Sequence, residues 1–235
     1  VNREIVIVSA APMLVNKGGY RHFMEKEIHE QPDAISHTLS AMTSESGTIT
    51  AGLDEGQLAA IQHIVILAAG TSFYAGQIGR YWIEQIAGIP VSVEVASEYR
   101  YRSPVTASYT TALLISQSGE SLDTMKAMEF ARDAGLTTMG VVNVPDSTIA
   151  READIILPTR AGPEIGVAST KAFTAQLTVL LSLALALGQH RGRLSAVEAD
   201  ALHSQIMSLP GAVGQAISRF DEMRPVAHRL SRSHS

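Results

Sequence analysis

The sequence predicts an α/β fold, a parallel sheet covered by helices on both faces. Three observations predict it. Five short apolar runs bounded by turn residues recur along the chain, at 64–68, 91–95, 111–115, 137–142 and 155–157. Runs this short, ended by Gly, Pro or Ser, read as buried strands. Segments with helical spacing alternate with them, and that rhythm favours parallel pairing through right-handed crossovers. Composition agrees: 235 residues, 46% hydrophobic and 17% charged, are enough to bury one full core.

A short β-type run at 4–8 comes first, followed by Ala11-Pro12 and the Lys17-Gly18-Gly19 break. This stretch reads as a linker arriving from something upstream. From Tyr20 to Met42 the residues favour helix, with Phe23, Ile28, Ile35 and Leu39 near helical spacing. Pro32 has no N–H and restricts Gln31 before it, so two helices are expected to meet there. The first strong strand, 64–68, ends in Ala69-Gly70-Thr71-Ser72, and a helix is expected over 73–87, closed by Gly88 and Pro90.

The second strand, 91–95, leads into polar residues 98–102, and the third, 111–115, stops in Ser116-Gln117-Ser118-Gly119-Glu120-Ser121. A helix over 121–134 ends at Gly135, a residue suited to a left-handed stop. Strands at 137–142 and 155–157 follow. Residues 172–188 are almost uncharged. At about 17 residues they sit at the short edge for crossing a bilayer, and with Thr174, Gln176, Thr178 and Ser182 they read as a buried helix. Two more amphipathic helices are expected at 195–208 and 212–230, broken by Leu209-Pro210-Gly211.

A net charge of −5 leaves no basic footprint for nucleic acid or an anionic membrane. The absence of Cys excludes disulfides, thiolate metal sites and a cysteine nucleophile. No basic region followed by a long apolar core opens the chain, so no signal peptide is expected. With no initiating Met and a polar trailing end, both termini read as cuts in a longer polypeptide.

Three hydroxyl-rich breaks fall at the carboxyl ends of strands, where ligands bind in such sheets. They are Gly70 to Ser72, Ser116 to Ser121, and the small-residue loop from Ala161 to Lys171. The first N–H groups of a helix have no internal partner, and neighbouring hydroxyls add donors for phosphate oxygens. Ser116, Ser118 and Ser121 are therefore expected to hold a phosphate, with helix capping as the rival role for Ser121. The glycine-rich nucleotide fingerprints are missing, which points to a small phosphorylated ligand. Candidates for acid–base work are Glu120, Glu164, Lys171, His22 and Glu98. His22, Glu25 and His29 lack the spacing of a zinc motif and read as solvated or interface charges.

Four segments carry a resemblance, in order along the chain. They are Tyr20-Arg21-His22-Phe23-Met24-Glu25-Lys26-Glu27-Ile28-His29-Glu30-Gln31-Pro32, Gly70-Thr71-Ser72, Ser116 through Thr124, and Glu164 through Thr174. Together they resemble the isomerase half of the glutamine–fructose-6-phosphate aminotransferases, built from sugar isomerase (SIS) domains. The resemblance implies a three-layer α/β/α sandwich around a five-stranded parallel sheet, with extra helices at both ends. It implies a linker at 1–19, the SIS domain with flanking helices at 20–208, and a helical connector at 209–235. Ser116, Gln117, Ser118 and Ser121 would hold the phosphate of fructose 6-phosphate or glucosamine 6-phosphate. Thr71, Val167, Ala168 and Ser169 would contact the sugar.

Two positions depart from the family pattern. Ala69 stands where Cys is common and Ser121 where Thr is common, and neither change removes a hydroxyl from the site. The family's catalytic residues belong to a glutaminase domain and a second SIS domain, so this chain is expected to bind without catalysing. No cofactor or metal is expected. A cytoplasmic location and a homodimer are what the family implies. A related sugar-phosphate deglycase or isomerase, and a non-catalytic sugar-phosphate-sensing module, are the alternative readings.

Overall fold

The structure, a computed structural model, describes residues 16–233. The expected β-run at 4–8 lies outside the described residues. Helices α1 (Phe23–His29) and α2 (Gln31–Met42) meet at Glu30, as the proline requires. Pro32 sits in the first turn of α2, where a missing N–H costs no helical hydrogen bond. A short α3 (Glu55–Ala60) precedes the sheet, started by a capping box between Asp54 and Gln57.

The strands are β1 (His63–Ala68), β2 (Val91–Val95), β3 (Thr110–Ser116), β4 (Thr137–Val142) and β5 (Ile155–Pro158). All neighbours pair in parallel in the order β2-β1-β3-β4-β5. Between them lie α4 (Gly70–Trp82), extended by a π-helical turn (Ile83–Ala87), and α5 (Ala96–Tyr99). Next come α6 (Leu122–Asp133) and α7 (Thr148–Glu152), then α8 (Lys171–His190), α9 (Ala196–Ser218) and α10 (Phe220–Leu230).

Alternate strand residues point to opposite faces, and each face has its own core. Ile64, Ile66, Leu113, Ile115 and Val141 pack beneath Ala75 of α4 and Val179, Leu180 and Leu183 of α8. Val65, Leu67, Ala112 and Leu114 pack beneath Tyr99 of α5, Ala127 and Met128 of α6, and Ile149 of α7. The layers are close. A Cβ on Gly79 of α4 would fall 2.8 Å from the Leu180 side chain, so any larger residue there would force the two helices to shift.

Helix α8 is long and apolar enough to cross a membrane by length and composition, yet 72% of its most apolar stretch is buried inside the protein. It is the core helix expected at 172–188. The predicted break at 209–211 is corrected. Helix α9 runs unbroken through Pro210, and the chain turns instead at Arg219, between α9 and α10. Leu202, Ile206, Leu209 and Val213 lie at helical spacing on both sides of Pro210 and pack against Ile35, Leu39 and Leu185. An interior proline costs about 3 kcal/mol. Apolar side chains contribute about 1.5–3 kcal/mol each when fully buried, so even half-buried ones together outweigh it. Helix α4 begins at Gly70 rather than at 73.

The strand order marks where a ligand position is expected. Chain growth moves outward from β1 to β2, then returns past β1 to add β3, β4 and β5. Crossovers on the two sides of β1 leave in opposite directions. This opens a crevice at the carboxyl ends of β1 and β3, the usual ligand position in an open parallel sheet.

Candidate functional site

Strands β1 and β3 leave the sheet side by side, with Ala68 paired to Ile115. Strand β1 turns at once into α4, whereas residues 117–121 form a loop between β3 and α6. The β3 loop is held rigidly. Ser116, the last residue of β3, is buried, and its Oγ accepts the Gly119 N–H at 3.0 Å. The Gln117 carbonyl accepts from the Asn143 N–H, and the Gly119 carbonyl from the Ile149 N–H, both at 3.1 Å. The Ser118 hydroxyl accepts the Glu120 N–H at 3.2 Å. Gly119 has φ +65°, and a Cβ there would lie 2.0 Å from Ser147 Oγ. Only glycine fits.

Ser121 occupies the N-cap position of α6, but its side chain does not cap the helix. Its Oγ instead accepts from Thr124 Oγ1 at 3.2 Å, which leaves its own proton to donate. Among the described residues no side chain caps the first amides of this 12-residue helix. The capping role considered for Ser121 is thus not the one it takes. Helix α4 is similar: its N-cap is Ala69, whose methyl offers no acceptor. Thr71, in the first turn of α4, is exposed, and its hydroxyl has no hydrogen-bond partner among the described residues. Ser72 Oγ accepts from Gln176 Nε2 at 3.0 Å and ties the start of α4 to α8.

The third loop differs, and the expectation of an anion site at the start of α8 is corrected. The Glu164 carboxylate already occupies that position. It accepts from the Thr170 N–H at 2.9 Å, the Ala172 N–H at 3.1 Å and the Ser169 hydroxyl at 3.2 Å. A carboxylate there satisfies the orphan amides and complements the helix dipole. Val167 and Ala168 form the exposed apex of this loop, and Ser169 is half-buried behind it.

Most of the acid–base candidates have structural partners. Glu120 caps α7, accepting from the Thr148 N–H at 2.7 Å and the Thr148 hydroxyl at 2.9 Å. Those bonds, the backbone one first, hold its carboxyl below the usual carboxylate range. Lys171 is buried and pairs with Glu30 at 2.7 Å. Glu98 lies in α5 and accepts from the neighbouring Ser97 hydroxyl at 3.4 Å. His22 precedes α1 and lines an apolar hollow with Met24, Ile28 and Phe220. The His29 ring lies 5.1 Å from that of Tyr20 and 6.1 Å from that of Phe220, in an aromatic group. No three His, Asp or Glu side chains converge as metal ligands among the described residues.

Two residues that braced the site escaped the sequence reading. Asn143 Oδ1 accepts from the Ala161 N–H and its Nδ2 donates to the Gly162 carbonyl, fixing the start of the third loop. Its only signal was an Asn at a strand end. Glu27, the other, gave no signal beyond its place in the Tyr20–Pro32 motif. A hollow of about 380 Å³ opens at the amino-terminal edge, lined by Thr110, Gly135 and Thr137. It lies at the wrong end of the strands for the hydroxyl loops and contains no charged side chain.

The sequence matches the SIS domain profile over residues 57–186, more than half of the chain. The chain belongs to the SIS domain family. The matched SIS segment runs from α3 into α8 and takes in the whole sheet and all three loops. A glutamine–fructose-6-phosphate aminotransferase (isomerizing) of Zymomonas mobilis is 46% identical over 232 residues, covering 98% of this chain and 38% of that protein. A namesake from Bradyrhizobium diazoefficiens is 45% identical over 236 residues, covering 99% of this chain and 39% of that protein. The chain therefore spans about two fifths of the length of these curated relatives. Among solved structures, the C-terminal domain of glucosamine–fructose-6-phosphate aminotransferase from Francisella tularensis superposes with a TM-score of 0.89 at 37% identity. That match covers 93% of this chain and 62% of that one.

Proposed function

We propose that this SIS domain is the sugar-phosphate-binding part of an enzyme that makes glucosamine 6-phosphate from fructose 6-phosphate and glutamine. One observation carries the reading. At the switch point of the sheet, α6 opens with uncapped amides, and Ser121 keeps a proton to donate beside Ser116 and Ser118. Amides and hydroxyls converging at a helix N-terminus are what a phosphate dianion requires. In this reading Ser116, Gln117, Ser118 and Ser121 hold the phosphate, while Thr71, Val167, Ala168 and Ser169 meet the sugar. The names of the relatives support this choice of sugar phosphate.

The same reading makes residues 1–19 a linker, 20–208 the SIS domain with its flanking helices, and 209–235 a connector. Core and connector then share α9, which spans position 209. Catalytic groups that open the ring and move protons belong to other parts of the parent protein, which is cytoplasmic and homodimeric. The chain needs no cofactor for binding and does not engage nucleic acid or membrane.

A thermal-shift titration tests the proposal. Ligand at a hundred times its Kd stabilises the native state by about 2.7 kcal/mol. Fructose 6-phosphate and glucosamine 6-phosphate should both raise the melting temperature, and no shift with either would refute the site. Turnover of fructose 6-phosphate with glutamine by this chain alone would refute the division of binding from catalysis.

A further inference from the structure

Helix α1 belongs to the Tyr20–Pro32 motif, none of whose residues lies in the site proposed above. Its one buried residue is Glu27, which is 2% exposed. That carboxylate accepts from the backbone N–H of Ile165 and from that of Gly166, the latter at 3.0 and 3.1 Å from its two oxygens. The approach is close enough that a side chain at 166 would have to push the carboxylate aside. A Cβ on Gly166 would fall 2.5 Å from Glu27 Oε2. Glu30, at the end of α1, pairs with Lys171 at 2.7 Å, tying the same helix to the first residue of α8.

The loop that presents Val167 and Ala168 is therefore held at both stems by carboxylates. Glu27 holds residues 165 and 166 on one side, and Glu164 holds residues 169, 170 and 172 on the other. Burying a carboxylate is costly, and an apolar side chain would anchor α1 without that cost. What the carboxylate adds is a fixed, directional position for two loop amides.

We propose that Glu27 is a positioning residue that sets the loop from 165 to 169 against the sugar, and so sets the preference for a hexose phosphate over bare phosphate. The proposal rests on the sugar-phosphate reading given above. The phosphate loop at Ser116 to Ser121 shares no hydrogen bond with Glu27, so the two parts of the ligand should respond separately.

The test is calorimetric titration of the full chain and two variants with fructose 6-phosphate and with inorganic phosphate. Glu27→Gln puts an NH2 where Oε2 faces the Gly166 N–H, donor against donor. Gly166→Ala pushes on the same contact from the other side. Each variant should weaken fructose 6-phosphate about tenfold, the scale of one hydrogen bond to a charged group. Phosphate affinity should stay within about twofold, as for sites that share no partners. Equal weakening of both ligands in step with a lower melting temperature, or no weakening of either, would overturn the positioning role. A wild-type chain that binds fructose 6-phosphate no better than phosphate would overturn the sugar reading itself, and that result needs no variant.

Discussion

The starts of α6 and α8 look alike in the sequence and differ in the fold. Both follow loops of small and hydroxyl residues at the carboxyl edge of the sheet. At α8 the Glu164 carboxylate supplies the anion from within, accepting from Thr170, Ala172 and Ser169. At α6 no side chain among the described residues caps the helix, and the one residue placed to do so keeps its proton free. The difference teaches that a hydroxyl-rich helix start is not by itself a phosphate site. What decides is whether the protein has already satisfied the amides. The loop before α6 leaves its helix amides without an internal acceptor, and the loop before α8 holds its own shape through Glu164.

The largest break in that contrast should come from Gly119→Ala. The new Cβ would collide with Ser147 at a residue held at φ +65°. A non-glycine residue in a strained conformation costs on the order of 1–3 kcal/mol before any clash is added. Phosphate binding should fall below detection in titration while the far side of the sheet stays folded, as far-UV circular dichroism would show.

Next in size is Glu164→Ala, which strips the internal anion from α8. Loss of its several hydrogen bonds should destabilise the chain by about 2 kcal/mol, read by urea unfolding. Ser121→Ala should do the reverse of a normal cap mutation. A capping serine is worth about 0.5–2 kcal/mol of stability. This one does not cap, so stability should change by less than about 0.5 kcal/mol, while phosphate affinity drops about tenfold.

The smallest effect concerns Glu120, the exposed clasp between the serine loop and α7. Its folded-state carboxyl lies below the usual range because Thr148 donates to the charged form. A group with a depressed folded value contributes stability above its unfolded pKa and loses that contribution as pH falls through the folded value. The melting-temperature gap between wild type and Glu120→Gln should thus be present at neutral pH and close in acid. A gap that widens in acid would contradict the bond to Thr148.

Much of this was legible beforehand, for physical reasons that can be located. The central strands stood out because they are apolar on both faces, as a covered parallel sheet requires, whereas the edge strand β2 carries Ser92 and Glu94 between its valines. Strand β3 is buried along its whole length. Helices α3, α5 and α7 were missed because runs of four to six residues show no period. Pro210 misled because local propensity yields to packing, here the stripe of Leu202, Ile206, Leu209 and Val213. In the site, the serine loop was readable as turn chemistry beside a strand. The role of Glu164 was not, since nothing in its spacing shows that its carboxylate folds back onto the helix it precedes. Glu27 was further from reach. Its bonds to Ile165 and Gly166 span well over a hundred residues of chain, and only the fold brings them together.

The central claim is that an outside phosphate binds at α6 and not at α8. Amide chemical shifts of the labelled chain, followed during titration with fructose 6-phosphate and with inorganic phosphate, test it most directly. With inorganic phosphate, the largest shifts should fall on the amides from Ser118 to Thr124, with those of Thr170 and Ala172 unmoved. With fructose 6-phosphate, Val167 to Ser169 should move as well. Shifts centred on Thr170 to Ala172, with the serine loop silent, would contradict the account.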